Sequence, residues 1–496
     1  MTPRPGEEFS MQVSVQARQA DPLRWKALTV VCAAFFMTIL DVSIVNVALP
    51  SIEKALDFSR DNLQWVITAY AITYGGLLLL AGRLADLYGR RRLFMIGVVI
   101  FSIASLFCGL AWSEGVLIVS RAVQGVGAAV ITPSALSIVM TTFDEGAERN
   151  KALGIWGALG GGGAAVGVLA GGILTTYLSW RWIFFVNVPV GAVAFLLTPR
   201  VVRESRATEK KSLDVAGAVT VTAGLALLVY AVSKAPDHGW GSGWTLSRLA
   251  VAVVLLLAFV GIEARAKDPL MPFSIFRIKT VAGANVCGLL LGAITFANFY
   301  LLTLYVQQVL GYSAIKTGLT FVVTAGSAVL WAGLAQNLTT RFGVKPVLAL
   351  GFIAMTAGAV WYTQIPVEGS FVSALLPGYL LIGFGLPFTF IPVSIAALAG
   401  VSYDEAGLAS GLINTTQQIG GAVGIALCAS VFLSRFNHLI EVHGQSYFAQ
   451  AFTSGTALAF WVLVGISVAA FIAGIVLIKR EELAPASETH SSPGVA

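Results

Sequence analysis

RLADLYGRRRLFMIG, residues 83–97, and NLTTRFGVKPVLALG, residues 337–351, align without a gap. Leu84 falls on Leu338, Gly89 on Gly343 and Gly97 on Gly351, each pair 254 residues apart in a chain of 496. Self-similarity at about half the chain length marks a duplicated architecture. Both stretches sit between apolar runs, in the place of a loop joining the second and third helices of a set.

The composition excludes a water-soluble globule. Hydrophobic residues make up 57% and charged residues only 11%, with a mean hydropathy of +0.82, whereas a soluble protein carries roughly 25% charged residues. Disorder is excluded by the same apolarity, and no G-X-Y period supports a fibrous chain. A spanning helix needs about 20 mostly apolar residues. Fourteen such runs are present, the first at 25–49 and the last at 455–478. The polar segment before Trp25 has no apolar core, so no cleavable signal peptide is expected. The expected fold is an all-α integral membrane protein of two six-helix halves with two helices inserted between them. Its parts are a cytoplasmic N-terminal tail (1–24), a first half (25–199), a linker with the two extra helices (200–279), a second half (280–478) and a cytoplasmic tail (479–496).

Charge placement orients these spans. With the N-terminus inside, 23 of the 31 Lys and Arg residues fall in inner segments, seven in outer ones, and one, Arg121, within a span. The positive-inside rule therefore places both termini in the cytoplasm of a multi-pass cell-membrane protein. The net charge of +6 is topological, and nucleic acid drops out as a partner in favour of lipid.

Two charges stand apart. A charge near the middle of a span costs at least ~2.5–3.5 kcal/mol and is usually paired and functional. Asp41 lies nine residues before Pro50 and Arg121 six after Gly115, which at ~1.5 Å per residue puts both about 9–13 Å below the outer face. They are expected to share one layer, either as a functional pair or as a fixed interhelical salt bridge.

The loop at 82–92 has an acid at a helix end, a glycine turn and three arginines. Asp86 suits backbone donors of the neighbouring helix or an arginine, and Gly89 permits the turn. Gly82, Asp86, Gly89, Arg90 and Arg91 form a candidate cytoplasmic clasp between the halves; the competing reading gives the arginines a topological role alone. In this loop the chain resembles the major facilitator superfamily. Four further stretches are similar to its fourteen-helix drug:proton antiporters: Leu40-Asp41 through Asn46-Val47-Ala48-Leu49-Pro50, Arg121-Ala122-Val123-Gln124-Gly125, the glycine-rich fifth span, and Trp180-Arg181-Trp182 with Asn187-Val188-Pro189. Gln307-Gln308-Val309-Leu310-Gly311-Tyr312 and Gly407-Leu408-Ala409-Ser410-Gly411-Leu412 also look like that family. The resemblance implies transport by rocking of the halves about a midplane site, with Asp41 and Arg121 in proton coupling.

In the fifth span Gly163, Gly167 and Gly171, with Gly172, leave one face almost bare backbone for a close crossing. The resemblance implies a proline after the middle glycine, where this chain has Val168; close packing is retained and a kink is not expected. Polar and aromatic residues on apolar helices mark a candidate substrate path: Asn46, Tyr70, Tyr74, Gln124, Trp156, Thr295, Asn298, Tyr305, Asn414, Gln417 and Gln418.

No phosphate-binding G-x-x-x-x-G-K-[ST] loop occurs, so ATP is not the expected energy source. His238, His438, His443 and His490 read as loop or tail residues without ligand spacing, and Cys32, Cys108, Cys287 and Cys428 as core residues. No enzyme, cofactor or metal is expected. The expectation is a proton-driven exporter of small amphipathic drugs or antibiotics. Two alternatives stay open: a dedicated metabolite exporter or proton symporter, and a membrane sensor or assembly protein that keeps the fold without moving a solute.

Overall fold

The computed structural model describes residues 22–143, 147–206, 214–271, 273–401 and 406–478. The tails expected at 1–24 and 479–496 lie almost wholly outside them. The long helices are α1 (Arg24–Leu56), α2 (Trp65–Tyr88), α3 (Arg90–Leu110), α4 (Glu114–Thr142), α5 (Ala147–Tyr177), α6 (Asn187–Val201) and α7 (Val215–His238). They continue as α8 (Gly243–Glu263), α9 (Lys279–Gln308), α10 (Ala314–Phe342), α11 (Val344–Tyr362), α12 (Leu376–Ala397), α13 (Ala406–His443) and α14 (Phe448–Leu477). Thirteen helical segments among the described residues are long and apolar enough to cross a membrane, and the 31-residue α5 completes fourteen. Helices are the only open-ended way to satisfy every backbone N–H and C=O inside hydrocarbon.

The duplicated loops fold alike. Gly89 ends α2 and precedes α3 at φ 110°, and Gly343 ends α10 and precedes α11 at φ 85°. Positive φ is the region where a side chain is disfavoured. The aligned glycines about two turns further in also share a task. A Cβ on Gly97 would stand 3.0 Å from the backbone of Ile131 in α4, and one on Gly351 would stand 2.6 Å from the backbone of Phe388 in α12. In each half the third helix thus lies directly on the backbone of its partner.

Two seams join the halves, α2 against α13 and α5 against α10, with α1 touching α9 between them. The adjacent pair Gly75 and Gly76 opens α2 on two sides: a Cβ on Gly75 would meet Gln418 of α13 at 3.0 Å, and one on Gly76 would meet Thr222 Oγ1 of α7 at 2.5 Å. The inserted helix α7 is thereby held against the α2–α13 seam, where Ala71, Ile72, Leu225, Val229, Ala422 and Ala426 pack together. Its partner α8 presents Leu246, Val254 and Leu257 outward, as a lipid-facing helix does.

The outer ends of the halves are tied. Gln307 donates to the Val47 carbonyl at 2.8 Å, Gln308 to Glu53 at 2.8 Å, and the Ile315 N–H to Thr176 Oγ1 at 3.2 Å. Val45, Val47, Ala48 and Leu49 of α1 are fully buried there, whereas Thr29 near its inner end is exposed and Phe35, Phe36 and Ile39 are half-buried.

Two expectations are corrected. The thirteenth helix continues to His443, ten residues past the apolar run that ends at Leu433, because Phe436 and Leu433 still bury themselves in the core. His438 and His443 accordingly lie on α13, and His238 is the last residue of α7; none is a loop residue. In the sixth span the helix is interrupted at Val186, between Trp182–Phe185 and α6.

Gly351→Val is predicted to force α11 off α12. Overpacking of this kind costs about 1–3 kcal/mol, to be read as a lowered midpoint in a thermal-shift assay of the purified protein. Gly326→Ala, where the added Cβ meets nothing within 4 Å, should leave the midpoint unchanged.

Candidate functional site

Asp41 of α1 and Arg121 of α4 meet in a closed polar cluster in the first half. Arg121 Nη1 donates to Asp41 Oδ2, with the side chains of Asp41 and Arg121 0% and 1% exposed. Arg121 Nε donates to the Val66 carbonyl at 2.8 Å and Nη1 also to Gln124 Oε1 at 2.6 Å. The other Asp41 oxygen accepts from Gln124 Nε2 at 2.7 Å and Asn187 Nδ2 at 3.1 Å. Gln124 Nε2 donates further to Ser105 Oγ at 2.7 Å. The guanidinium carbon lies 4.4 Å from the Tyr70 ring centroid, a cation–π distance. Five helices, α1, α2, α3, α4 and α6, thus contribute to one buried ion pair.

The local reasons are plain. Gln124 follows Arg121 by three residues, so both project from one face of α4. Gly125 lets α4 approach α2 closely, since a Cβ there would stand 2.5 Å from the Tyr70 carbonyl, and this brings Val66 and Tyr70 to the arginine. A single buried charge is prohibitive in hydrocarbon, and the pair is tolerable because both groups also make hydrogen bonds to neutral neighbours. Protonation of Asp41 would remove the charge opposing Arg121 and change a carboxylate that now only accepts into a donor. The cluster can therefore exist in two charge states with different hydrogen-bond patterns, and in this closed arrangement neither residue is open to water.

Several candidate residues take other places. Gln124, expected on a substrate path, is fully buried in the ion-pair cluster, and the Tyr70 ring lies against the guanidinium. Tyr305 donates to the Pro366 carbonyl at 2.5 Å beneath the outer loops, and Tyr74 shares a hydrogen bond of 3.0 Å with Thr132. Trp156 stacks on Phe35 at 3.7 Å, and Asn414 donates to the Ser410 carbonyl of its own helix at 2.8 Å. Thr295 and Gln417 are half-buried. Asn46 Oδ1, Tyr70 Oη, Asn298 Oδ1 and Gln418 Oε1 are buried without a hydrogen-bond partner, on α1, α2, α9 and α13, the helices that meet between the halves. Buried polar atoms of this kind are costly unless something else satisfies them.

In the fifth span, a Cβ on Gly163 would stand 2.8 Å from Ile39, one on Gly167 3.0 Å from the Leu40 carbonyl and one on Gly171 2.8 Å from the Ile44 carbonyl. That face lies on α1 beside Asp41. Gly172 turns the other way, 2.8 Å by the same measure from Ile315 of α10, and Val168 presents its carbonyl to Gly318. The helix is continuous, as the absence of a proline requires.

The loop at 82–92 is tied to the linker. Asp86 pairs with Arg90 of its own loop at 2.9 Å. The donors at the start of α3 are taken by Glu204, which accepts from Arg91 N at 3.1 Å and Arg92 N at 3.2 Å, while Arg91 Nη1 donates to the Val202 carbonyl at 3.3 Å. Gly82 lies against Pro133, and Gly89 admits the Glu204 carboxylate, 2.7 Å from where a Cβ would stand. Among the described residues, the expected clasp across the halves is thus a clasp between the first half and the segment leading to α7. Ser105, Asn187 and Glu204 have no role legible in the sequence. The only signal is the Asn-Val-Pro at the start of α6, which gives the asparagine no partner.

A duplicated bundle of fourteen helices, with an ion pair buried inside one half and unpartnered polar atoms between the halves, has the architecture of a membrane transporter. The family model described as Major Facilitator Superfamily matches residues 31–425. The puromycin resistance protein of Streptomyces alboniger is 38% identical over 487 residues, covering 97% of this chain and 96% of that protein. The cephamycin export protein of Amycolatopsis lactamdurans is 40% identical over 410 residues, covering 82% and 84%. Among solved structures, a bacterial homologue of the human lysosomal transporter Spinster, in an inward-facing and unoccupied conformation, superposes with a TM-score of 0.64 at 18% identity over 92% of this chain and 98% of its own. The chain belongs to the Major Facilitator Superfamily.

Arg121→Met is predicted to leave the Asp41 carboxylate buried and unopposed, a loss of about 3–5 kcal/mol visible as a lower thermal midpoint. Adding Asp41→Asn removes the stranded charge, and the double variant should recover most of that midpoint. A double variant no more stable than Arg121→Met would show that the two charges are not energetically coupled.

Proposed function

We propose that this protein exports small amphipathic, antibiotic-like compounds in exchange for protons, with Asp41 as the protonation site and Arg121 as the group that senses its charge. The observation that carries this reading is the enclosure of Asp41, held by Arg121, Gln124 and Asn187 in a site 0% exposed. Gln124 and Asn187 can go on donating to the carboxyl group whether or not it is charged, so the site can hold Asp41 in either state. The names of the relatives, a puromycin resistance protein and a cephamycin export protein, supply the direction of transport and the class of cargo. The energy is adequate without ATP, because one proton crossing 100 mV supplies ~2.3 kcal/mol before any pH gradient.

In this cycle substrate enters between the halves from the cytoplasmic side while the outer ends are tied. Asn46, Asn298, Thr415 and Gln418, whose side-chain oxygens are unsatisfied, offer hydrogen bonds to it. Reopening outward exposes the ion-pair layer, protonation of Asp41 loosens Arg121, and substrate leaves. The path named here carries amides and hydroxyls, and its one acid is Asp41, which suits neutral or singly charged cargo.

In liposomes with an imposed pH gradient and equal amounts of folded protein, Asp41→Asn is predicted to abolish proton-driven drug flux, as is the double variant Asp41→Asn with Arg121→Met, which strands no charge; full flux from either would refute the coupling role. Cells lacking other pumps should gain more resistance to neutral lipophilic antibiotics than to dications, and the reverse ranking in a susceptibility assay would overturn the assignment of cargo.

A further inference from the structure

The inserted helices α7 and α8 bring two acids together at their inner ends. Asp214 is the N-cap of α7, where its Oδ1 accepts from Gly217 N at 2.7 Å and its Oδ2 is buried with no partner. Glu263 is the last residue of α8 and only 3% exposed. Its Oε2 accepts from Met271 N at 3.2 Å, and its Oε1 has no partner. The two unsatisfied oxygens both lie beside Gly217. A Cβ on Gly217 would stand 2.5 Å from Asp214 Oδ2 and 3.0 Å from Glu263 Oε1, so only glycine leaves both carboxyl groups room.

The charged groups around the pair do not neutralise it. Arg83 reaches it electrostatically from the end of α2, but its Nη2 donates to the Pro269 carbonyl at 2.5 Å and its Nη1 has no partner. Arg265, Lys267 and Asp268 line, with Asp214, an adjoining cleft of about 410 Å³. Among the described residues no ion pair is formed with either acid. Two carboxyl groups beside one glycine, each with an oxygen that lacks a donor, form an arrangement that one shared proton would relieve.

We propose that Glu263 and Asp214 form a second proton-binding site, a carboxyl–carboxylate pair sharing one proton, built into the inserted helices and separate from Asp41. Its consequence runs to the loop at 82–92 through Arg83. With the proton bound, the pair carries a single negative charge and Arg83 stays on Pro269. When cytoplasmic alkalinity removes the proton, two negative charges face the unpartnered Arg83 Nη1 and draw the arginine towards them. The inserted helices thereby report inner pH to the end of α2.

The test is pH-difference infrared spectroscopy on the purified full-length protein in lipid, read in the carboxylic-acid C=O stretch, a readout that does not depend on transport or on the role of Asp41. A protonated-carboxyl band that disappears on alkalinisation should be present in the wild type, retained in Asp41→Asn and lost in Glu263→Gln. Asp214→Asn keeps the helix cap, since Asn caps as well as Asp, and should shift the band's titration; it carries the test alone if Glu263→Gln does not fold. A band unaffected by either substitution would overturn the proposal. A band that responds to sodium at constant pH would also overturn it, by making the pair a cation site.

Discussion

Hydrocarbon offers a polar group no partner, and each main feature of this protein answers that constraint. Every crossing is a helix because only a helix satisfies its own backbone. The acid and the arginine at depth, Asp41 and Arg121, are driven onto each other, and the neutral groups Gln124, Ser105 and Asn187 gather around them because any spare lone pair or N–H would otherwise be wasted. Outside the core the same solvent reverses the usual surface. Val254 and Leu257 of α8 face outward at no cost, where a soluble protein would present charged side chains to water.

Association of the helices needs a different source of energy, since lipid is as apolar as leucine. Glycine supplies it by allowing backbone-to-backbone contact. Gly97 and Gly351 perform this task at equivalent places in the two halves, Gly163, Gly167 and Gly171 bring α5 onto α1 beside Asp41, and Gly172 with Gly318 joins α5 to α10 across the halves. At these two glycines the contact is backbone to backbone. Gly75 and Gly76 serve the inserted pair, one admitting α13 and the other α7.

Legibility varies with how rare a residue type is in its surroundings. Asp41 and Arg121 are conspicuous because charge is scarce in the spans. Gln124 is visible but reads as a substrate contact, since an amide on an apolar helix looks the same whether it faces a cavity or an ion pair. Asn187 and Ser105 are invisible as partners, being ordinary polar residues on helices whose rotation the sequence does not set. Glu204 and Glu263 lie close to expected loop segments, where acids are commonplace, and only the close approach of residues 202–205 to the start of α3 and of α7 to α8 gives them their surroundings.

Sequence alone determined the number of crossings and the twofold repeat, because these follow from hydropathy and glycine positions that are local and one-dimensional. It also determined that Asp41 and Arg121 occupy one layer, since depth along a helix is a matter of counting. Tertiary structure decided which side chains complete that layer, that the loop at 82–92 grips the linker, that α13 runs on to His443, and that Asp214 meets Glu263 over Gly217. Each of these depends on the rotation and mutual approach of helices far apart in the chain, which are set by packing and by the demand that buried polar groups find partners.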